Sequence, residues 1–388
     1  MTPAARPRST CRVLLLQSSH GAHHPRHHFR LATSLAAVGY RVSMLAQRDL
    51  RPGHRAAVPV EYLPARGGRL TRMLSGPVTV LRALRRRPDA LHVVCLDLLP
   101  WAALARRLRR DLVVLYDSNE QYDLYMDVKE WLPRPARPLL AAAVRRFEPW
   151  LGRRIDAVTT AVPATEEKFR SAGARTLLVR NFLPRTLAVA EERTGSFDHD
   201  VLVGGSIKGP QMVLIADTAA RLRELLGRPA RWIVIARNFR TADEDRLRRA
   251  LAAHALEGDV TLHCNLSFDD VRDLARRAAV AFAPYPGDPH YRVALPMRLF
   301  DYMAWGVPFV TSEFPALAEL VDGVEPGLMV PPGNIAAYAE SLAAVLRDPE
   351  LGRRLGRNGT ELVRSRLNWD LESRRLIDLY DQLLGAAA

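Results

Sequence analysis

The residues whose types and spacing suit a defined chemistry lie close to position 300. An apolar run of strand length at 280–284 ends in a loop of proline, glycine and aspartate, and apolar residues then recur at helical spacing after Pro296. Gly306 is the type of residue that ends a helix. Arg298 and Asp301 fall on the first turns of this predicted helix, three residues apart and therefore on one face. A cation and a carboxylate placed in this way can bind an anion and a hydroxyl group side by side.

The elements around these two side chains form a strand–loop–helix–strand unit, which is typical of a parallel α/β sheet. Its loop lies at the carboxyl end of a strand, where open α/β sheets bind their ligands. The N-terminus of the helix adds free N–H groups and the positive end of the helix dipole. The pattern therefore predicts a site for a diphosphate joined to a hydroxyl-bearing group.

Two segments of the second half carry a family resemblance. PMRLFDYMAWGVPFVTSE resembles the donor-binding segment of glycosyltransferase family 4 in the GT-B superfamily, with Arg298 at the position of the family's lysine and Asp301 at that of its glutamate. VGGSIKGP resembles the glycine-rich turn that begins the family's second domain. The resemblance implies that Lys208 and Arg298 bind the two phosphates and stabilise the leaving group. It also implies that Gly204 and Gly205 let the backbone approach the phosphates and that Asp301 binds ribose.

Further segments follow in the family's order, so that the resemblance covers about residues 12–384. VLYDSNEQYDLY resembles the cleft-edge segment of the first domain, and HPRHHFRLATSLAAVGYRV resembles its first helix. The resemblance implies a GT-B fold, in which two Rossmann-like, doubly wound parallel-sheet domains face a cleft. We expect an acceptor-binding domain over 1–185, a linker over 186–200, a nucleotide-sugar-binding domain over 201–366, and a terminal helix over 367–388 that crosses back to the first domain.

The remaining candidate residues are assigned by their positions in these segments. On the donor side they are Pro284, Tyr285 and Leu295, and on the acceptor side they are His20, Asp117, Asn119 and Glu120. Asp117 can equally well cap its loop in a structural role. Asn119 stands where the family has a histidine, and an amide cannot exchange a proton near neutral pH as imidazole can.

One departure from the family pattern bears on the donor sugar. Val293 stands where many members carry a glutamate that reaches this sugar. Either a nearby polar side chain (Asp288, His290 or Arg292) replaces it, or the sugar contacts differ. The identity of the sugar therefore stays open.

The sequence predicts no metal site. Five histidines lie close together, at 20, 23, 24, 27 and 28, but Pro25 is expected to begin the helix, so the i, i+4 spacing of the pairs fails. Asp-x-Asp triplets hold a divalent ion in glycosyltransferases of the other major fold. Here they occur in the predicted linker at 198–200 and at a helix start at 243–245. A metal-independent mechanism is therefore expected.

The chain is strongly basic, with 56 Lys and Arg against 42 Asp and Glu and a formal net charge of +14. Such a surface suits nucleic acid, anionic lipid or phosphorylated substrates, but no nucleic-acid-binding motif is present. Two basic stretches with apolar and tryptophan positions, 69–89 and 131–154, suit either a membrane surface or core-facing helices with arginines on the wet side. Three scattered cysteines and no apolar run of membrane length favour the cytosol, with contact at the inner membrane face as a further option.

The reaction implied by the resemblance is transfer of a sugar from a nucleoside diphosphate sugar to an acceptor hydroxyl, with retention at the anomeric carbon and no separate cofactor. Two alternatives stay open. A nucleotide-sugar 2-epimerase shares this fold and donor site, and a non-catalytic partner subunit would bind the sugar nucleotide without converting it. The base, the sugar, the acceptor and the oligomeric state are left undetermined; natural products, polysaccharides and lipids all fit as acceptors.

Overall fold

The computed structural model describes residues 6–48, 56–64, 68–127, 132–189, 193, 197–207, 209–237, 239–287 and 295–387. The chain divides into two compact units, each built around its own parallel sheet. Unit 1 comprises residues 1–181 together with 369–388, and unit 2 comprises residues 182–368.

Unit 1 alternates strands and helices along most of its length. Its strands are β1 (Arg6–Pro7), β2 (Arg12–Gly21), β3 (Arg41–Gln47), β4 (Val60–Tyr62), β5 (Ala90–Val93), β6 (Val113–Ser118), β7 (Ala157–Thr160), β8 (Thr176–Leu178) and β15 (Ala386–Ala387). Its α-helices are α1 (Thr33–Ala37), α2 (Arg69–Leu74), α3 (Gly76–Leu84), α4 (Leu99–Leu108), α5 (Tyr122–Asp127), α6 (Ala136–Gly152), α7 (Pro163–Ser171) and α15 (Trp369–Leu384).

The main sheet of unit 1 has seven parallel strands in the order β4-β3-β2-β5-β6-β7-β8. One face of the sheet is covered by α1 and α15, whose apolar residues share a core with β2 and β3. The other face is covered by α3 and α4. The strands read as nearly continuous apolar runs because both faces are buried.

Helix α15 is tied to the body of unit 1 by polar contacts as well as by its apolar side. The Asp381 carboxylate accepts hydrogen bonds from Arg8 and from the Tyr40 hydroxyl. At the other end of the helix, Trp369 donates its indole N–H to Ser34 Oγ at 2.8 Å. The terminal helix thus belongs to the first unit although unit 2 intervenes in the sequence.

Unit 2 repeats the same architecture. Its strands are β9 (His199–Gly205), β10 (Trp232–Ala236), β11 (Val260–Cys264), β12 (Ala278–Ala283), β13 (Phe309–Ser312) and β14 (Gly327–Val330). Its helices are α8 (Gly209–Leu226), α9 (Thr241–Ala252), α10 (Phe268–Arg276), α11 (Met297–Ala304), α12 (Pro315–Val321), α13 (Ile335–Arg347) and α14 (Pro349–Ser365).

The six strands of unit 2 are all parallel and lie in the order β11-β10-β9-β12-β13-β14. The order reverses between β9 and β12, so the connections leave these two neighbours toward opposite faces. A crevice opens at such a switch point, beyond the carboxyl ends of the two strands. Both predicted parallel-sheet domains are therefore present, and the predicted fold class is confirmed.

Some predicted boundaries differ from the structure for local reasons. The first helix begins with a π-helical segment, His27–Ala32, before α1. The basic stretch at 69–89 contains two helices separated at Ser75, and Gly76 sits against the Trp101 ring, where an added Cβ would lie 2.6 Å from the indole. The predicted linker contains the start of β9. Within the part of the chain that the structure describes, no helix has both the length and the apolar character needed to cross a bilayer.

Glycines set how closely α14 approaches α11, the helix that carries Arg298. A Cβ at Gly356 would lie 2.5 Å from the Gly306 carbonyl oxygen, just after α11 ends. A Cβ at Gly359 would lie 3.0 Å from Met303 Cα within α11. The two helices therefore pack with backbone against backbone, which fixes the position of α11 in unit 2.

We expect Gly356→Ala to destabilise unit 2 by about 1–3 kcal/mol, because the new methyl group overlaps a backbone oxygen that cannot move freely. Gly352→Ala is the matched control in the same helix, since a Cβ there meets Val345 at an ordinary 3.5 Å. The control should be neutral or slightly stabilising because alanine favours the helix. Urea unfolding of the two variants measures the difference, and equal free energies of unfolding would contradict this packing.

Candidate functional site

A turn without side chains closes the carboxyl end of β9. Gly204 and Gly205 end the strand, and Gly205 has φ +127°, which side-chain-bearing residues rarely adopt. A Cβ at Gly204 would lie 3.0 Å from the Tyr302 hydroxyl and 3.4 Å from Arg298 Nη1. A Cβ at Gly205 would lie 3.7 Å from Arg298 Nε. The Arg298 guanidinium therefore lies against the backbone of this turn, while the Tyr302 hydroxyl at Gly204 and the positive φ at Gly205 favour glycine at both positions.

Helix α11 positions Arg298 and Asp301. Pro296 precedes the helix in an extended conformation, so Arg298 is its second residue. Arg298 and Asp301 are both partly exposed, whereas Tyr302 beside them is buried, and burial raises the pKa of the Tyr302 hydroxyl to about 12. The structure thus brings together Gly204, Gly205 and Arg298, which the sequence places almost a hundred residues apart, at the switch point of the sheet.

The predicted donor loop after β12 is held from two sides. Gln211 donates its side-chain N–H to the Pro284 carbonyl oxygen at 2.9 Å. The Tyr285 backbone N–H donates to Ser312 Oγ at 2.8 Å, and the Tyr285 ring meets Phe314 edge-on at 5.2 Å between centroids. Leu295 packs against the same apolar cluster. These three candidates border the switch point and are fixed to β13 and α8.

Lys208 lies outside the described residues, as do the polar candidates Asp288, His290 and Arg292 and the residue Val293. A cation that the sequence reading missed, Arg246, lies next to Gly209 at the start of α8. A Cβ at Gly209, the first residue of α8, would lie 2.6 Å from Arg246 Nη1. Arg246 is an exposed residue of α9. No pattern distinguished it among the many arginines, because only the tertiary structure brings α9 to the start of α8.

The geometry predicts that Arg246 adds to the positive potential around the glycine turn. Arg246→Ala should weaken binding of inorganic pyrophosphate about two- to fivefold, as expected for an exposed charge contributing about 0.5–1 kcal/mol. Arg248→Ala is the matched control, because Arg248 lies on the same helix and pairs with Glu244. Titration calorimetry with pyrophosphate measures both variants. Equal affinities of the Arg246→Ala and Arg248→Ala variants would show that Arg246 is too far from the bound anion to attract it.

In unit 1 the structure places Asp117 inside the protein. Its carboxylate accepts hydrogen bonds from Arg26 Nη2 and Nε at 2.7 and 2.8 Å and from Thr159 Oγ1 at 2.7 Å. His27 Nε2 lies 3.3 Å from the same group. Burial alone would raise the pKa of Asp117, but the Arg26 guanidinium holds it well below its usual range. Asp117 anchors the end of β6, and its acceptor-side role stays a prediction that this geometry does not favour.

The other acceptor-side candidates lie around the carboxyl ends of β2 and β6. The backbone of His20 belongs to the last part of β2. Asn119 and Glu120 follow β6 and are partly exposed. The Oδ1 atom of Asn119 is buried and has no hydrogen-bond partner among the described residues. Buried acceptor atoms without a hydrogen-bond donor are uncommon in proteins. Asn119 is therefore the acceptor-side candidate whose hydrogen-bonding capacity is not filled.

The neighbouring histidines form a stacked cluster. These contacts join the residues just before the π-helical segment to its start: the His23 and His28 ring centroids lie 5.1 Å apart, and the His24 ring stacks on the His27 ring at 4.2 Å. Burial lowers the pKa of His27 although Asp117 opposes the shift. Among the described residues, no group of three or more His, Cys, Asp or Glu side chains is placed to hold a metal ion.

The Arg26–Asp117 pair should carry much of the local stability of unit 1. Arg26→Met leaves the buried carboxylate without its cation and should cost about 3–5 kcal/mol in the free energy of unfolding, measured with urea. The double variant Arg26→Met/Asp117→Leu removes both charges and should recover a large part of this loss. If Arg26→Met costs no more than an exposed substitution, about 0.5 kcal/mol, the pair is not the anchor described here.

Two known protein families match this chain, one in unit 1 and the other in unit 2. The family described as glycosyl transferase 4-like domain matches residues 26–182, and glycosyl transferases group 1 matches residues 200–348. The two ranges together take in most of the chain. The chain therefore carries a glycosyl transferase 4-like domain followed by a glycosyl transferases group 1 domain, and it is a glycosyltransferase that resembles family 4. The resemblance read from the sequence segments is thereby confirmed.

Individual glycosyltransferases match this chain over parts of their length. A phosphatidyl-myo-inositol mannosyltransferase from Mycobacterium leprae is 33% identical over 106 residues, which are 27% of this chain and 27% of that protein. A glycogen synthase from Mycobacterium tuberculosis is 26% identical over 253 residues, 62% of this chain and 58% of that protein. The chain thus spans between about a quarter and three-fifths of these two relatives.

Solved structures match over nearly the whole chain. Sucrose-phosphate synthase from Thermosynechococcus elongatus has a TM-score of 0.75 at 19% identity and covers 97% of this chain and 100% of its own. HepE from Anabaena, solved in complex with UDP-glucose, has a TM-score of 0.70 at 16% identity and covers 96% of this chain and 99% of its own. At these identities the likeness shows the GT-B fold.

Proposed function

We propose that this protein transfers a sugar from a nucleoside diphosphate sugar to an acceptor hydroxyl, with retention at the anomeric carbon and without a metal or a further cofactor. The observation that carries the proposal is the Arg298 guanidinium lying against the Gly204–Gly205 turn at the switch point of unit 2. A pyrophosphate needs fixed cations and a backbone without side chains, and this turn offers both. The UDP-glucose complex of HepE supports a donor of this class.

Each residue at the turn has a role in this proposal. Arg298 and Lys208 bind the pyrophosphate and stabilise the charge that grows on it as the sugar leaves. Gly204 and Gly205 let the phosphates approach the end of β9. Asp301, three residues after Arg298 on the same helix face, accepts hydrogen bonds from the ribose hydroxyls. Contacts with other residues determine which base and which sugar the protein binds.

The proposed step is a front-face displacement. A bond forms between the acceptor oxygen and the anomeric carbon while the bond from that carbon to the diphosphate oxygen breaks. The proton of the acceptor hydroxyl passes to the departing diphosphate, which Lys208 and Arg298 hold. Metal independence belongs to the proposal because these two cations supply the charge that a divalent ion would otherwise provide. Activity that survives EDTA treatment would support it, and activity that EDTA abolishes and Mg²⁺ restores would contradict it.

We place the reaction in the cytosol. All three cysteines of the chain are free, and Cys11 and Cys95 are buried as small core residues. Cysteines that form no disulfide bond are typical of proteins in a reducing compartment. The acceptor is a hydroxyl-bearing molecule, and the unit 1 residues His20, Asn119 and Glu120 are the candidates that contact it. A natural product, a polysaccharide or a lipid would satisfy this description.

The decisive test uses UDP, GDP and TDP as ligands in thermal-shift measurements, since a ligand that binds only the folded state raises the melting temperature. Lys208→Ala and Arg298→Ala should each weaken binding about ten- to a hundredfold, because each removes a charge-assisted contact of about 1.5–3 kcal/mol. Arg354→Ala is the control, because this exposed arginine of unit 2 pairs with Glu325. Unchanged shifts in both site variants would place the phosphate site elsewhere.

Radiolabelled donor distinguishes the transferase from the alternatives. Incubated alone with the protein, a donor should at most be slowly hydrolysed, and incubated with a panel of acceptors it should yield a new glycoside of retained anomeric configuration. Conversion of the donor alone into a second nucleotide sugar would identify an epimerase. Tight nucleotide binding without product over the whole panel would identify a non-catalytic subunit.

A further inference from the structure

The most exposed large apolar side chains of the described residues are concentrated on one part of unit 1. Six such side chains are at least 55% exposed, and all of them lie on α2, α3, α4 and α6: Met73, Leu74, Val78, Leu108, Leu139 and Phe147. Scattered exposed apolar residues are normal on protein surfaces, but a concentration of them indicates an interaction site. These four helices, with their exposed side chains, are called the docking surface below.

The four helices lie on the same side of unit 1. Helices α3 and α4 bury Val80, Ala83 and Ala102 in one core on one face of the seven-stranded sheet. Helix α6 contacts α4, and α2 contacts α3. The sides opposite the core therefore point away from the sheet together. Leu108 of α4 and Phe147 of α6, both more than half exposed, belong to one outward surface.

The charge carried by these helices themselves is almost entirely of one sign, although Arg72, Arg82, Arg86 and Arg145 pair with carboxylates of neighbouring elements. Residues 72–87, 99–110 and 134–154 contain fifteen arginines and one acidic residue, Glu148. Glu148 is buried and accepts hydrogen bonds from Lys168 and Tyr116, so it does not offset the surface charge. No acidic side chain from these helices therefore faces outward.

Several of these arginines stand next to the exposed apolar positions without a carboxylate. Arg106 pairs with Asp156 and Arg109 with Asp111 at the edge of α4. Among the described residues, by contrast, no carboxylate lies within ion-pair distance of Arg107, Arg110 or Arg146. These three cations flank Leu108 and Phe147 in the sequence.

A groove between α4 and α6 joins the two helices and shows the same composition. It is lined by Leu104, Arg107, Arg110, Trp150 and Arg153, among others. The Arg154 guanidinium lies 3.4 Å from the centre of the Trp150 ring, which keeps its charge at the surface over an apolar base. Cations and apolar groups therefore lie side by side in this groove, with Asp156 paired to Arg106 at its edge.

We propose that the docking surface binds a lipid bilayer that contains anionic phospholipid. A bilayer interface takes apolar side chains into the boundary between headgroups and acyl chains, while arginines above them attract anionic headgroups. A nucleic acid would pair with the arginines and leave the leucines and phenylalanine in water. The combination of unpaired cations with protruding apolar tips therefore fits a membrane. The inference does not depend on the proposed glycosyl transfer.

The test is co-sedimentation of the full chain with vesicles of phosphatidylcholine containing 30% phosphatidylglycerol, and with vesicles of phosphatidylcholine alone. The protein should bind the anionic vesicles, and binding should weaken with salt and with removal of phosphatidylglycerol. Arg107→Gln/Arg110→Gln/Arg146→Gln and Leu108→Ser/Leu139→Ser/Phe147→Ser should each lower the partition coefficient at least tenfold. Because all six side chains point outward, both variants should keep the wild-type melting temperature.

Val213→Ser is the matched control, because Val213 is a half-exposed apolar residue of unit 2. It should bind vesicles as the wild type does. Three results would overturn the proposal: no binding of the wild type to anionic vesicles, equal binding by the wild type and the two triple variants, or dimers in lipid-free solution that the serine variant abolishes while vesicle binding is absent. The last result would assign the surface to contact between two copies of the chain.

Discussion

The guanidinium of Arg298 against the Gly204–Gly205 turn is the contact on which the account of the donor site depends. The turn itself favours glycine, because a Cβ at Gly204 would lie 3.0 Å from the Tyr302 hydroxyl and Gly205 has a positive φ of +127°. The contact also needs the ends of β9 and α11 side by side. The strand order of unit 2 provides this, since β9 and β12 are neighbours and α11 lies between β12 and β13 in the chain.

The same arrangement explains why the supporting residues are apolar or glycine. Helix α11 buries Leu299, Phe300 and Met303 and leaves Arg298 and Asp301 at the edge of its buried face. The glycines of α14 bring a second helix against it at backbone distance. A short helix held on two sides can keep a charged side chain in one place, which electrostatic stabilisation of a leaving group requires. In unit 1, by contrast, a buried ion pair between Arg26 and Asp117 fixes the end of β6.

Sequence reasoning recovers the elements whose apolar pattern is clear. Strand β12, helix α11 and strand β13 form the strand–loop–helix–strand unit predicted around position 300, and the glycine turn and Arg298 meet as the family resemblance implies. It could not show the burial of Asp117, because its partner Arg26 is 91 residues away in the chain. Nor could it distinguish Arg246 from the other arginines of α9. Amphipathic helices with basic faces look alike in sequence whether their apolar residues point inward or outward. Only the structure shows that Leu108, Leu139 and Phe147 face the solvent.

The most direct measurement of the central claim is a crystal structure of the protein with a bound nucleoside diphosphate sugar. The account predicts the pyrophosphate within hydrogen-bond distance of the Arg298 guanidinium, close to Gly204 and Gly205, with the ribose toward Asp301. A diphosphate bound at another edge of the sheet, with Arg298 still packed on an empty turn, would contradict it.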